Sequence, residues 1–440
     1  MYRSTQSLEL TLDRSGASRR PDLVRSSIIL PPDLQSIRRS QVLPEPDTAI
    51  ARREVPSYGC LSVLQFLADN PAIPKSGLSL RSSQPVSGRG RTYEVRRYSE
   101  GNKEQIDTSN YWRPSEAHKY LISTTTSTGD AAVLPETYRS LINELRILTY
   151  KPLSTHPNLL RITGVGWALS ESDHNYALPV IRTEFSALGT LHGFMRAWEC
   201  PYRLKKQLML DVATGLAALH VCSMVHGDVK AENVLMFPTQ DPDCPFIAKV
   251  SDFGFSLDIG NTLPGDHGHL VGCTPLWAAP EANRKMLFSE MHLTDVYSLG
   301  FVFWAVATNG RGLFEVLEEL PVDPTQRYEA FRFLKETDDM DAAATRHILG
   351  AQAGEYGPDV DVAELMNLSR VTLRLRPQDR DLDYVRAMLL PSQLRNTPVS
   401  QQQLLPTASK LPPYDPERVS LVALRLFQLI FQICHHLLTK

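Results

Sequence analysis

The sequence has no cysteine pair at metal-binding or redox spacing. Its six cysteines, at positions 60, 200, 222, 244, 273 and 434, form no C-x-x-C and stand beside no histidine pair at zinc-finger spacing. That excludes a zinc module and a dense disulfide frame, and leaves reduced thiols in a cytoplasmic protein as the expectation. An excess of either charge is missing too. With 46 Lys and Arg against 49 Asp and Glu the formal net charge is -3, so nothing points to nucleic acid, and a small molecule or a protein is the partner to expect. Nor does an apolar signal core follow the N-terminus, where Glu9 and Asp13 interrupt an arginine- and serine-bearing stretch that otherwise has a transit-peptide cast.

What is present is a globular composition, 42% hydrophobic and 22% charged over 440 residues, enough for one large two-lobed domain with tails. From Met1 to about Gln84 the chain is rich in Arg, Ser and Pro, and residues 1–84 read as a disordered extension with one short helix near Leu61–Leu67. Strands are predicted near Tyr93–Val95 and Tyr120–Ile122, with a polar loop containing Gly101, Asn102 and Asp107 between them. Leu141, Leu145 and Leu148 then fall at helical spacing, and strands follow at Leu159–Ile162 and Leu178–Phe185. Leu208, Val212, Leu216 and Leu219 predict a long helix. Val296–Ala307, almost wholly apolar, predicts a buried central one. Strands first and helices afterwards make an α+β, two-lobed body over residues 85–395, with a small mainly β lobe and a larger helical one.

Residues 396–440 read as a linker and an amphipathic C-terminal helix. Within the apolar stretch Leu421–Leu438, Arg425, Gln428, Gln432, His435 and His436 recur every three or four residues. That polar stripe suits a helix docked on the chain or on a partner; membrane contact through this helix is the lesser alternative. No feature fixes an oligomeric state.

The chemistry lies in an ordered set of short motifs. His226-Gly227-Asp228-Val229-Lys230-Ala231-Glu232-Asn233 is followed by Asp252-Phe253-Gly254, then by Ala279-Pro280-Glu281. In this order they resemble the eukaryotic-type protein kinase family, serine/threonine kinases in particular, over roughly Gly88–Leu390. The resemblance implies a protein kinase fold with ATP and Mg2+ as cofactors and a protein substrate. It implies Asp228 as acceptor of the substrate hydroxyl proton and Lys230 as the cation beside the transferred phosphoryl group. Asn233 and Asp252 are the implied magnesium ligands. It also implies Thr274 bridging the catalytic Asp and Lys, Asp295 capping the catalytic-loop backbone, and an ion pair between Arg380 and Glu281. Upstream it implies Glu144 as the helix glutamate, Thr183 at the back of the nucleotide pocket and Glu184–Ser186 as the adenine-binding hinge. Gly88, Gly90 and Val95 form the glycine-rich loop, with Tyr93 where the motif has its third glycine.

Two departures stand out. Counting back about 20 residues from Glu144 puts Ser123 where the family has a strand lysine, and Arg96, Arg97 and Lys103 are the substitutes considered, with Lys119 set aside as off the required pleat position. Gly227 replaces the arginine before the catalytic aspartate, so activation-loop phosphorylation is not expected to be the main switch although Thr262 lies there. The two functional readings are an active ATP-dependent serine/threonine kinase and, alternatively, a pseudokinase serving as a nucleotide-binding or scaffold module.

Overall fold

The computed structural model describes residues 18–19, 59–79, 86–89, 93–98, 116–122, 124–125, 131–132, 135–169, 177–311, 331–355 and 362–390. Their strands and helices make an α+β body of two compact units. One compact unit holds the described residues between Pro46 and Ser186 together with Asp252–Ser256, and the other holds Ala187–Ser251 and those from Leu257 onward.

The first unit is built on a six-stranded sheet in the order Lys75–Ser79, Ile162–Leu169, Ala177–Glu184, Glu116–Leu121, Tyr93–Tyr98, Val86–Arg89. All neighbours are antiparallel except the first pair. That parallel edge strand needs close access to its neighbour. Gly164 provides it: a Cβ there would lie 2.7 Å from the Pro74 carbonyl oxygen. The helix Pro135–Thr149 turns Leu141, Ile142, Leu145 and Leu148 inward at the expected spacing. Helix Cys60–Asp69 packs on it with Val63, Leu64, Phe66 and Leu67 buried. This helix and the 75–79 strand both precede residue 85, so the sheet unit takes in chain ahead of the expected domain start.

The second unit is organised around two long helices. In Tyr202–Val221 the buried Leu204, Leu208, Val212, Leu216 and Leu219 recur every three or four residues. His292–Ala307 is buried on every side from Thr294 onward, as its apolar sequence requires. A hairpin of Val234–Pro238 and Phe246–Val250 packs against the first helix, where the buried Asp211 carboxylate accepts from the Ala248 amide at 2.9 Å.

Arg380 ties the lower part of this unit together. Its guanidinium, fully buried, donates to both carboxylate oxygens of Glu281 at 2.5 and 3.1 Å, to the carbonyls of Leu293, Arg374 and Leu375, and lies over the Tyr297 ring. Removing one partner of a buried pair leaves the other charge uncompensated. Arg380→Ala is therefore expected to cost about 3–5 kcal/mol in urea denaturation; a loss under about 1 kcal/mol would contradict this role.

Among the described residues no helix is long and apolar enough to cross a membrane. The predicted C-terminal helix at Leu421–Leu438 lies outside them.

Candidate active site

The sheet unit answers the question of the missing cation. Lys119, on the Glu116–Leu121 strand, places its ammonium 2.6 Å from a Glu144 carboxylate oxygen and 2.9 Å from an Asp252 oxygen. The expectation that Ser123 holds the lysine position, with Arg96, Arg97 or Lys103 as substitutes, is thereby corrected; Ser123 and Lys103 lie outside the described residues. Two physical facts explain the miscount. The strand begins and ends earlier than its apolar residues suggest, and the short hairpin Thr124–Thr125/Ala131–Ala132 lengthens the connection to the helix. Alternation itself pointed to Lys119, because residues four apart on a strand share a face.

Register fixes what that face carries. Lys119 sits opposite Val95 on one side and Ile181 on the other, and Ala117 sits opposite Thr183. Val95, Lys119, Ile181 and Thr183 therefore share one sheet face. Tyr93 belongs to it as well. Its hydroxyl donates to the second Asp252 oxygen at 2.5 Å, and its ring lies 3.8 Å below the Lys119 ammonium. Asp252 itself has a left-handed backbone, φ 64°, which is uncommon for a residue other than glycine and is held here by those two contacts and by the buried Phe253.

Charge follows from this packing. Burial works against the Lys119 ammonium, but Asp252 and Glu144 more than offset it and hold its pKa above the usual lysine value. Burial, then the neighbouring Asp252 charge, pushes the Tyr93 phenol well above its ordinary value, so it remains a donor.

The helical unit supplies a second set. The Asp228 carboxylate accepts from the Thr274 amide at 2.8 Å with one oxygen. With the other it accepts from Lys230 at 2.5 Å and from the Asn233 amide nitrogen at 3.2 Å. Lys230 also donates to the Thr274 hydroxyl at 2.8 Å, so Thr274 bridges the aspartate and the lysine. Asn233 donates once more, to the Asp228 carbonyl at 2.9 Å, leaving its side-chain oxygen as the acceptor atom. The loop carrying this set is held from behind by Asp295, which accepts from the amides of His226 and Gly227 at 2.7 and 2.9 Å and from His220 at 2.9 Å. Gly227 has φ 80°, a left-handed conformation that glycine adopts without a Cβ penalty, which gives the departure from arginine a local reason.

The remaining predicted residues are placed less decisively. Gly88 lies on the edge strand opposite Val95, and Gly90 lies outside the described residues. Glu184 ends its strand, where its carboxylate accepts from the Arg161 amide at 2.9 Å, and Ser186 follows it in the connecting segment. Lys119 and Tyr93 are the residues that sequence reasoning did not assign to the site.

A family model described as protein tyrosine and serine/threonine kinase matches residues 130–349, half of the chain. Three relatives illustrate the range. A Caenorhabditis elegans tyrosine-protein kinase, csk-1, is 30% identical over 40% of this chain and 29% of its own. The mouse (Mus musculus) dual specificity testis-specific protein kinase 1 is 30% identical over 47% of this chain and 29% of its own. The Dictyostelium discoideum probable serine/threonine-protein kinase drkB is 31% identical over 35% and 20%. The matched region thus spans under a third of the length of each of these relatives.

Proposed function

This chain belongs to the protein tyrosine and serine/threonine kinase family, and we propose that it is an active serine/threonine protein kinase that moves the γ-phosphoryl group of ATP to a protein hydroxyl. The observation that carries this reading is the Lys119 ammonium joined to both Glu144 and Asp252. The pseudokinase alternative had two grounds, the lack of such a cation and the incomplete glycine-rich loop with Tyr93 at its third glycine; Lys119 bears on the first.

Each unit carries oxygen donors of the kind a hard divalent cation prefers. Asn233 offers an amide oxygen, and each Asp252 oxygen, although it accepts one hydrogen bond, keeps a second lone pair. Magnesium, when bound, screens the phosphate charge. The chain's own residues do the rest. Lys119 binds phosphate oxygens while Glu144 holds its ammonium in place. Asp228 orients the acceptor hydroxyl and takes its proton as the oxygen bonds to the γ-phosphorus and the bond to the ADP oxygen breaks. Lys230, anchored on Thr274, neutralises charge on the transferred group. The Asp228–Lys230–Thr274 bridge is what the resemblance attaches to serine/threonine specificity.

The test is direct. Purified chain with magnesium and labelled ATP should label casein, and hydrolysis should release phosphoserine or phosphothreonine. Phosphotyrosine alone would refute the specificity.

Tyr93 yields a separate expectation. Its hydroxyl engages one lone pair of an Asp252 oxygen and weakens that oxygen as a cation ligand, so Tyr93→Phe should tighten magnesium binding by about tenfold, the equivalent of one modest charged hydrogen bond. A magnesium titration of nucleotide-dependent thermal stabilisation reads this, and unchanged affinity would argue against the weakening.

A further inference from the structure

Lys335 is a buried ammonium to which no carboxylate among the described residues is bonded. It lies in the helical stretch 331–336 of the second unit, and its three protons point at three carbonyls of one segment: Pro275 at 3.1 Å, Leu276 at 2.9 Å and Ala278 at 2.7 Å. Two aromatic rings close it in, Phe331 at 4.8 Å and Phe301 at 5.1 Å. Beside it is a cavity of about 170 Å³ lined by Pro275, Ala279, Pro280, Arg284 and Phe331 among others. The segment so held, Pro275–Ala278, directly follows Thr274, which bonds both Asp228 and Lys230.

We propose that Lys335 is a positioning residue for the acceptor substrate: in its ammonium form it holds the 275–278 turn in the shape that receives the protein chain carrying the hydroxyl. This rests on the kinase reading for the identity of what is received, but the coupling between Lys335 and the turn does not.

Three acceptors need three donors. A neutral amine has two N–H bonds and a lone pair, so one of the three carbonyls would lose its partner and face that lone pair. The turn's shape is then tied to the proton on Lys335. Burial drives that pKa down to about 7, with smaller opposing contributions from Cys273 and Glu281. The other titratable and charged groups around it are Cys273, Glu281, Arg284, Arg332 and Glu336. Burial lifts the Cys273 thiol to about 11, Glu281 is paired with Arg380, and Arg284, Arg332 and Glu336 line the adjoining cavity. The Phe301 helix presents the Phe301 ring to it.

Hydrogen exchange on the full-length chain tests the coupling without requiring activity. The amides of Trp277 and Ala278 both donate to the Thr274 carbonyl. Their protection, corrected for intrinsic rates, should fall by about tenfold between pH 6 and pH 8, the scale of losing one hydrogen bond. Lys335→Met should show the low protection at both values, and Lys335→Arg, charged throughout, should keep its protection constant across this range. Protection in the wild-type chain that does not change between pH 6 and 8 overturns the proposal, even where the methionine variant fails to fold.

Casein phosphorylation then separates the two readings. The KM for casein should rise across the same pH range while the KM for ATP stays level, and the casein dependence should be absent in Lys335→Arg. A pH-dependent turn with no transfer at all would refute the kinase reading and leave the Lys335 coupling intact. Transfer whose casein KM is as pH-dependent in Lys335→Arg as in the wild type would do the reverse.

Discussion

Replacing Lys119 with methionine should lower kcat/KM for ATP by roughly 10²–10³-fold, the usual cost of removing one preorganised charged donor from a reacting phosphate or oxyanion. The loss should appear in transfer more than in folding, with one complication. Glu144 is almost fully buried, and without Lys119 its carboxylate has no cation beside it among the described residues. An unpaired buried charge of this kind costs about 3–5 kcal/mol, or protonates instead. The double variant Lys119→Met/Glu144→Gln removes that charge. It should regain most of the lost stability and none of the lost activity, and urea denaturation run beside the kinetic assay distinguishes the two effects. Recovery of activity in the double variant would mean that Lys119 serves only to neutralise Glu144.

The second large effect is expected at Asp228. Asp228→Asn keeps the shape of the side chain but removes the base, and loss of a positioned general base is worth about 10²–10⁴-fold in kcat. Here the effect should fall towards the upper end, because the substitution also weakens the Lys230 contact at 2.5 Å. Binding of nucleotide should be nearly unaffected. An Asp228→Asn protein that binds ATP normally and transfers at the wild-type rate would place the base elsewhere.

The same residues show what a sequence can and cannot announce. Asp228, Lys230 and Asn233 sit within six positions, so one local loop brings them together and spacing alone suffices to recognise it. Thr274, Asp295 and the Arg380–Glu281 pair were legible for a related reason, since each lies inside a motif whose neighbours are themselves distinctive. The central helix was legible from composition, as a helix apolar all round has to be buried.

Lys119 was harder because its role depends on register. The strand carrying it holds Glu116, His118 and Lys119 among its apolar residues, and its buried positions follow the pattern of a strand covered on both faces more than a clean alternation. The apolar pair Leu121–Ile122 drew the predicted strand too far along the chain. The hairpin between strand and helix then added residues that a fixed count could not foresee. Tyr93 is hidden for the opposite reason: it stands at a motif position where glycine is expected, whereas its hydroxyl and ring make contacts that no glycine could. Lys335 leaves no motif at all. Its partners are backbone carbonyls, which every residue carries, so only coordinates reveal them.

On the proposed function, Lys119, joined to Glu144 and Asp252, makes this chain a working phosphoryl-transfer enzyme. A single-turnover assay measures it most directly, with the full chain in excess over labelled ATP, magnesium present and casein as acceptor. The wild-type chain should transfer label to casein, and Lys119→Met should do so at least about a hundredfold more slowly at protein concentrations high enough to bind all of the ATP. Equal rates for the two proteins, or ATP-dependent thermal stabilisation of the wild-type chain with no label on casein or on the chain itself, would contradict it.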